Sequence, residues 1–129
     1  MKANFLKMRT ETEIIKTILT GYASAVDSQN SAEAEKYMDT NFRVVLNNYK
    51  NLPEPTVLSK QQYLGMMQEG KVGGTKRSIV FELIDTHSSV AIAKLILESE
   101  KNIFKTYYHL IKKAGSWCIL SDTPEITSK

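Results

Sequence analysis

Val90-Ala91-Ile92-Ala93-Lys94-Leu95-Ile96-Leu97-Glu98 places Ala91, Ala93, Leu95 and Leu97 on one side of an extended chain. Val90, Ile92, Lys94, Ile96 and Glu98 fall on the other side. Successive side chains of a strand point to opposite faces, so the uncharged set belongs against a core and the set with Lys94 and Glu98 points away. The flanking runs repeat the pattern. Ile103 to Lys112 alternates Phe104, Thr106, Tyr108 and Leu110 with Ile103, Lys105, Tyr107, His109 and Ile111, and the lysine marks the second set as outward. By the same reasoning Ser78 to Ile84 turns Ile79, Phe81 and Leu83 inward and Val80, Glu82 and Ile84 outward, and Ser116 to Ser121 is a fourth β-rich run. The separators Asp85 to Ser89, Ser99 to Asn102 and Lys113-Ala114-Gly115 have the lengths that join adjacent antiparallel strands, so a four-stranded meander is predicted.

Upstream of the meander the period changes. Thr10-Glu11-Thr12-Glu13 is a capping box, in which the threonine hydroxyl and the glutamate carboxylate each satisfy a free donor at a helix start. Behind it Ile14, Ile15, Ile18, Leu19, Tyr22, Ala25 and Val26 form one apolar stripe at helical spacing. Asn30 or Ser31 caps a short second helix running through Glu33, Lys36, Tyr37 and Met38. Asn41 to Asn47 reads as a strand, Asn48 to Pro55 as a loop, and Ser59-Lys60-Gln61-Gln62 as a second capping box opening a helix with Tyr63, Leu64, Met66 and Met67 before Gly70. Helix, helix, strand, helix and four strands make an α+β fold, an antiparallel sheet covered on one face by helices.

The chain has 129 residues, 42% hydrophobic and 24% charged, which suits one domain over 1–129 with an ordered core over about 10–123. Its 17 basic and 14 acidic residues interleave, with no run longer than pairs such as Lys76-Arg77, so a nucleic-acid partner is not expected. Apolar runs such as Leu95-Ile96-Leu97 are far below the roughly 20 residues a membrane span needs, and Met1 to Arg9 lacks the apolar stretch of an export signal. A cytoplasmic location is expected. The single cysteine, Cys118, cannot close an internal disulfide, and with His87 and His109 it has no ligand spacing, so no metal is expected and no cofactor is implied. Gly70, Gly73 and Gly74 read as a turn, because no strand precedes them and no helix follows to make a phosphate cradle.

Three segments together resemble the nuclear transport factor 2-like superfamily over nearly the whole chain. They are Tyr22-Ala23-Ser24-Ala25-Val26-Asp27, Ala34-Glu35-Lys36-Tyr37-Met38-Asp39-Thr40-Asn41-Phe42 and Lys113-Ala114-Gly115-Ser116-Trp117-Cys118-Ile119. Within it, Ala91-x-Ala93 and Tyr107-Tyr108-x-Leu110 leading into Gly115-x-Trp117 are similar to the SnoaL-like and "putative lumazine-binding" branch. The resemblance implies a cystatin-like cone, a strongly curved antiparallel sheet packed on three helices from the N-terminal half, with an apolar pocket at its open end and frequent dimers. It implies no single activity, because isomerases, dehydratases, cyclases, binding modules and transport adaptors share the fold. Where relatives often carry an aspartate before the paired aromatics, this chain has Thr106.

The expected pocket lining is Tyr22, Phe42, Tyr63, Met66, Met67, Phe81, Leu95, Phe104, Thr106 and Tyr108. Asp27 is the candidate base, with Tyr22 or Tyr63 as candidate donor to a carbonyl; the alternatives are a solvated helix-end acid and phenols that only pack. Three functions stay open: a domain binding an apolar or aromatic small molecule, an isomerase, dehydratase or cyclase moving a proton next to a carbonyl, and an assembly module. The outer face, through Val80, Ile84, Ile92, Ile96, Tyr107 and Ile111, is oily enough for an antiparallel sheet to predict a homodimer joined there.

Overall fold

The computed structural model describes residues 9–129; residues 1–8, where the sequence reading places no export signal, lie outside the described residues. Helix α1 (Glu11–Asp27) opens on the Thr10 capping box, with Glu13 N–H donating to Thr10 Oγ1 at 3.1 Å and Thr10 N–H donating to Glu13 Oε1 at 3.0 Å. The helix buries Ile15, Leu19, Tyr22, Ala23, Ala25 and Val26 against the sheet. Asn30 caps the short α2 (Ser31–Glu35), and Ser59 with Gln62 caps α3 (Lys60–Gln68) through both halves of the second box.

The strands are β1 (Met38–Leu46), β2 (Thr56–Ser59), β3 (Ser78–His87), β4 (Val90–Glu98), β5 (Asn102–Lys113) and β6 (Ser116–Ser128). They form one curved sheet ordered β2-β1-β6-β5-β4-β3. The meander β3 to β6 is antiparallel as predicted, while β1 returns to lie parallel to β6, so the sheet is mixed.

Four readings are corrected. Met38 begins β1 instead of ending α2, because its register with Ile119 and the bond from Ile119 N–H to Tyr37 O draw the chain into the sheet after Glu35. Between the loop ending at Pro55 and the Ser59 capping box the sequence reading assigns no element; the four-residue β2 forms there, its ladder supplied by β1. β6 runs on to Ser128 instead of stopping at Ser121, because β5 offers it a matching ladder as far as Asn102. Pro124 is tolerated there because the pairing of β6 with β1 ends at Val44↔Asp122, leaving that edge without a ladder bond to lose.

The fourth correction concerns β3. Phe81 pairs with Leu95 and Leu83 with Lys94, so a bulge at Glu82 resets the alternation. Leu83 is 50% exposed and Ile84 packs on the core, the reverse of the predicted facing. β4 keeps its predicted register, with Ala93 and Leu95 fully buried at the centre of the concave side.

Candidate functional site

A cavity of about 500 Å³ opens at one end of the curved sheet. The C-terminal half of α1 brings Tyr22, Val26 and Asp27 to it, α3 brings Tyr63 and Met66, and β5 brings Phe104, Thr106 and Tyr108. β1 supplies Val44 and Leu46, β6 supplies Asp122, Pro124 and Ile126, and the 71–77 segment supplies Lys71, Val72, Gly73, Thr75 and Arg77. The segment is pinned to α1 by Gly74 N–H, which donates to Asp27 O at 2.9 Å, and by Gln29 Nε2, which donates to Val72 O at 3.0 Å.

Of the expected lining, Tyr22, Tyr63, Met66, Phe104, Thr106 and Tyr108 border the cavity. Phe42, Met67 and Leu95 do not; they are closed into the core at 1% exposure or less. Phe42 sits 6.0 Å from Tyr22 and 6.1 Å from Tyr63, and so backs the two phenols instead of meeting the open space. Phe81 also lies away from the cavity, with Lys16 Nζ 5.7 Å over its ring.

The floor is aromatic and buried. Tyr22 and Tyr108 stack edge to face at 6.1 Å, and both are at most 2% exposed. Burial raises the phenols of Tyr22, Tyr63 and Tyr108 above their ordinary range and the Asp122 carboxylate adds to all three, while the Arg77 guanidinium pulls Tyr63 and Tyr108 back. The Tyr22 hydroxyl is buried and makes no hydrogen bond of ordinary length among the described residues, the Tyr63 phenol being its polar neighbour. A buried hydroxyl left without such a bond costs about 1–3 kcal/mol, so this one is placed to receive a partner from outside the chain.

Asp122 is the acid that the sequence reading missed. It faces inward from the middle of the sheet, opposite Tyr108 on one side and Val44 on the other, and is 6% exposed. Thr106 Oγ1 donates to its Oδ1 at 2.5 Å. Burial pushes its carboxyl up to about 6, against the opposing pull of the Thr106 hydroxyl, the Arg77 guanidinium and the Tyr108 hydroxyl. The carboxylate absent from position 106 is thus met from the adjacent strand. The sequence reading ends the last strand at Ser121, one residue before Asp122; the signal available was the long β5 run, along which a neighbouring strand can continue to pair.

Asp27, the expected base, is neither solvated nor free. Its Oδ1 accepts from Arg77 Nε at 2.6 Å and its Oδ2 from Arg77 N–H at 3.1 Å, with the two side chains only 11% and 12% exposed. Arg77, which the sequence offers only as half of the basic pair Lys76-Arg77, also stacks its guanidinium 4.8 Å from the Phe104 ring centroid.

The remaining candidates lie elsewhere. His87 is exposed at the end of β3, and His109 is exposed on the convex face beside Ser121 Oγ. Cys118 is half-buried, its thiol pushed up by burial and by the Asp39 carboxylate, whose Oδ1 lies 3.7 Å away. Asp39 itself is held low by Lys113 and by the Asn41 N–H at 2.8 Å. No grouping of three His, Cys, Asp or Glu suited to a metal occurs among the described residues. No described helix is long and apolar enough to cross a membrane.

A family model described as "Putative lumazine-binding" matches residues 10–123. A comparison with curated proteins finds no match. Among solved structures, a nuclear transport factor 2-like protein of unknown function from Shewanella baltica superposes with a TM-score of 0.79 at 14% identity, covering 95% of this chain and 100% of its own. A ketosteroid isomerase-like protein from Erwinia carotovora atroseptica gives 0.77 at 12% identity, covering 95% and 100%. A protein of unknown function with a cystatin-like fold from Nostoc punctiforme gives 0.75 at 8% identity, covering 91% of each chain. These likenesses establish the fold.

Proposed function

Because the chain belongs to the family described as "Putative lumazine-binding", in the nuclear transport factor 2-like superfamily, we propose that its cavity binds a flat, mostly apolar molecule bearing a carbonyl oxygen. The observation that carries this reading is the Tyr22 hydroxyl, buried at the floor of an open cavity without a hydrogen bond of ordinary length among the described residues. A carbonyl oxygen would supply the missing acceptor while the aromatic walls take the ring. Lumazine, a fused bicycle with two carbonyl groups, is a suitable first probe. Titration calorimetry with lumazine and with 2-tetralone is expected to give one site per chain for at least one of them, weakened about five- to tenfold by Tyr22→Phe. Absence of binding by both compounds overturns the reading.

A second reading is favoured by Asp122. An enzyme that moves a proton next to a carbonyl needs a base poised near neutrality and a donor for the developing oxyanion. Asp122 and the phenols supply that pair of roles, and Asp122 replaces Asp27 as the candidate base because Arg77 occupies both Asp27 oxygens. The carboxylate would take a proton from the carbon beside the carbonyl, the C–H electrons passing to the carbonyl oxygen as an enolate that accepts from a phenol; return of the proton to a different carbon isomerises the compound. Deuterium exchange at the α-carbons of 2-tetralone, followed by NMR, is expected to fall about 100-fold or more in Asp122→Asn. An unchanged rate leaves binding as the function. The open cavity weighs against a module that serves assembly alone.

Pairing of two copies through the convex sheet face belongs to the same proposal. Val80, Val90 and Tyr107 stand 56%, 51% and 41% exposed there, beside half-buried Ile92, Ile96 and Ile111.

A further inference from the structure

The Arg77 guanidinium has one committed donor. Nε donates to Asp27 Oδ1 at 2.6 Å, and among the described residues neither Nη nitrogen has an acceptor. The side chain is nevertheless only 12% exposed. Its orientation is set from three directions: the backbone N–H of Arg77 takes the second Asp27 oxygen at 3.1 Å, the Phe104 ring closes one face of the plane at 4.8 Å, and Gly74 N–H fixes the Asp27 carbonyl behind it. Arg77, Asp27 and Phe104 all border the cavity, and the guanidinium acts on the ionisation of Tyr63, Tyr108 and Asp122 within it. Arg77 and Asp27 also border a second hollow, lined by Thr20, Ser24, Ser28, Lys76 and Ile79; the stacking on Phe104 and the action of the guanidinium on Tyr63, Tyr108 and Asp122 put its charge on the side of the main cavity, where the Nη edge is left without an acceptor among the described residues.

A guanidinium fork matches two oxygens of one anionic group, each held by a charge-assisted bond. Asp27 takes Nε and the backbone N–H of Arg77, one on each oxygen, and makes no hydrogen bond with either Nη. The lining also carries Lys71 and Lys101 against Glu100, beside the Arg77–Asp27 pair and Asp122, so its cations are not outnumbered by acids. Asp122 has one oxygen closed by Thr106. Resting on the binding function proposed above, we infer that the ligand is an aromatic acid whose carboxylate or equivalent oxyanion docks on the Nη edge of Arg77 while its ring system enters the cone toward Tyr22.

The test compares two probes with one body. 8-Anilinonaphthalene-1-sulfonate and N-phenyl-1-naphthylamine differ only in the sulfonate, and both report binding by fluorescence. The wild-type chain is expected to bind the sulfonate at least about tenfold more tightly than the neutral amine. Removing one member of a buried pair strands the other, so the principal variant is the double Asp27→Asn/Arg77→Gln, with its fold verified by near-ultraviolet circular dichroism. It is expected to bring the two affinities within about twofold of each other by weakening the sulfonate alone. Arg77→Lys, which keeps charge and ion pair but loses the fork, is expected to retain only part of the preference. Equal affinities in the wild type, or a preference that survives in both variants, overturn the inference while leaving the cavity reading intact. Failure of the wild type to bind either probe overturns both.

Discussion

Asp122 carries an energetic cost as well as a possible role. Its carboxyl titrates at about 6 in the folded chain against an ordinary 3.8, so the native state holds the proton more tightly than the unfolded chain. Stability from this group is therefore fully present below pH 4 and is lost as pH rises through about 6. At about 1.4 kcal/mol per pKa unit, the loss is on the order of 3 kcal/mol. Asp122→Asn keeps an acceptor for Thr106 and carries no charge; it is expected to be more stable than the wild type by about 1–3 kcal/mol at pH 8 and nearly equal to it at pH 4. Urea denaturation at the two pH values measures this, and a wild type more stable at pH 8 would contradict it. Gly73 offers a contrasting case. Its φ of +76° is left-handed, and a Cβ there would overlap the Val26 carbonyl oxygen. Gly73→Ala is expected to cost roughly 2–3 kcal/mol and to loosen the segment that carries Arg77, visible as a lower denaturation midpoint.

Strand β3 and the last strand show what an element can hide. The alternation Ile79, Phe81, Leu83 is perfect in the sequence, yet the bulge at Glu82 puts Leu83 outside and Ile84 inside. Leu83→Ser is therefore expected to change stability by no more than about 0.5 kcal/mol, while Ile84→Ser costs roughly 2 kcal/mol or more. Chemical denaturation of the two variants distinguishes the facings, and the reverse order would restore the unbulged register. Both capping boxes were legible because their partners lie three residues apart, and a local motif needs no tertiary context. Bulges are set by how neighbouring strands must bend, which local pattern does not encode. For the same reason the extension of β6 through Asp122 was hidden: its hydrogen bonds come from β5, at the far side of a turn.

At the scale of the molecule, the convex face determines whether the cone acts alone. Tyr107 and its aliphatic neighbours are not uniformly oily, since Lys94 pairs with Glu82 and lies 5.7 Å over the Tyr107 ring. A second copy meeting this face would bury the ring and satisfy both charges at its rim. Light scattering is expected to give twice the chain mass at micromolar concentration, and Tyr107→Glu is expected to halve it by placing like charges across the two-fold axis. A monomeric mass for the wild type would refute the pairing.

Much of this protein follows from sequence alone: the capped helices, the strand alternation of β4 and β5, the order of elements apart from β2, and the α+β class. Each depends on residues close in the chain, where spacing stands in for geometry. Six of the ten expected lining residues border the cavity, because alternation along β5 marks Phe104, Thr106 and Tyr108 and helical spacing marks Tyr22, Tyr63 and Met66 as core-facing. Which concave residues meet open space and which are sealed was decided by tertiary packing, as Phe42 and Leu95 show. So were the two groups that give the site its charge. Asp122 is brought to the floor by a ladder with β5, and Arg77 is turned to the wall by an aspartate 50 residues earlier. Their chemistry depends on desolvation and on partners distant in the chain, which only the folded arrangement supplies.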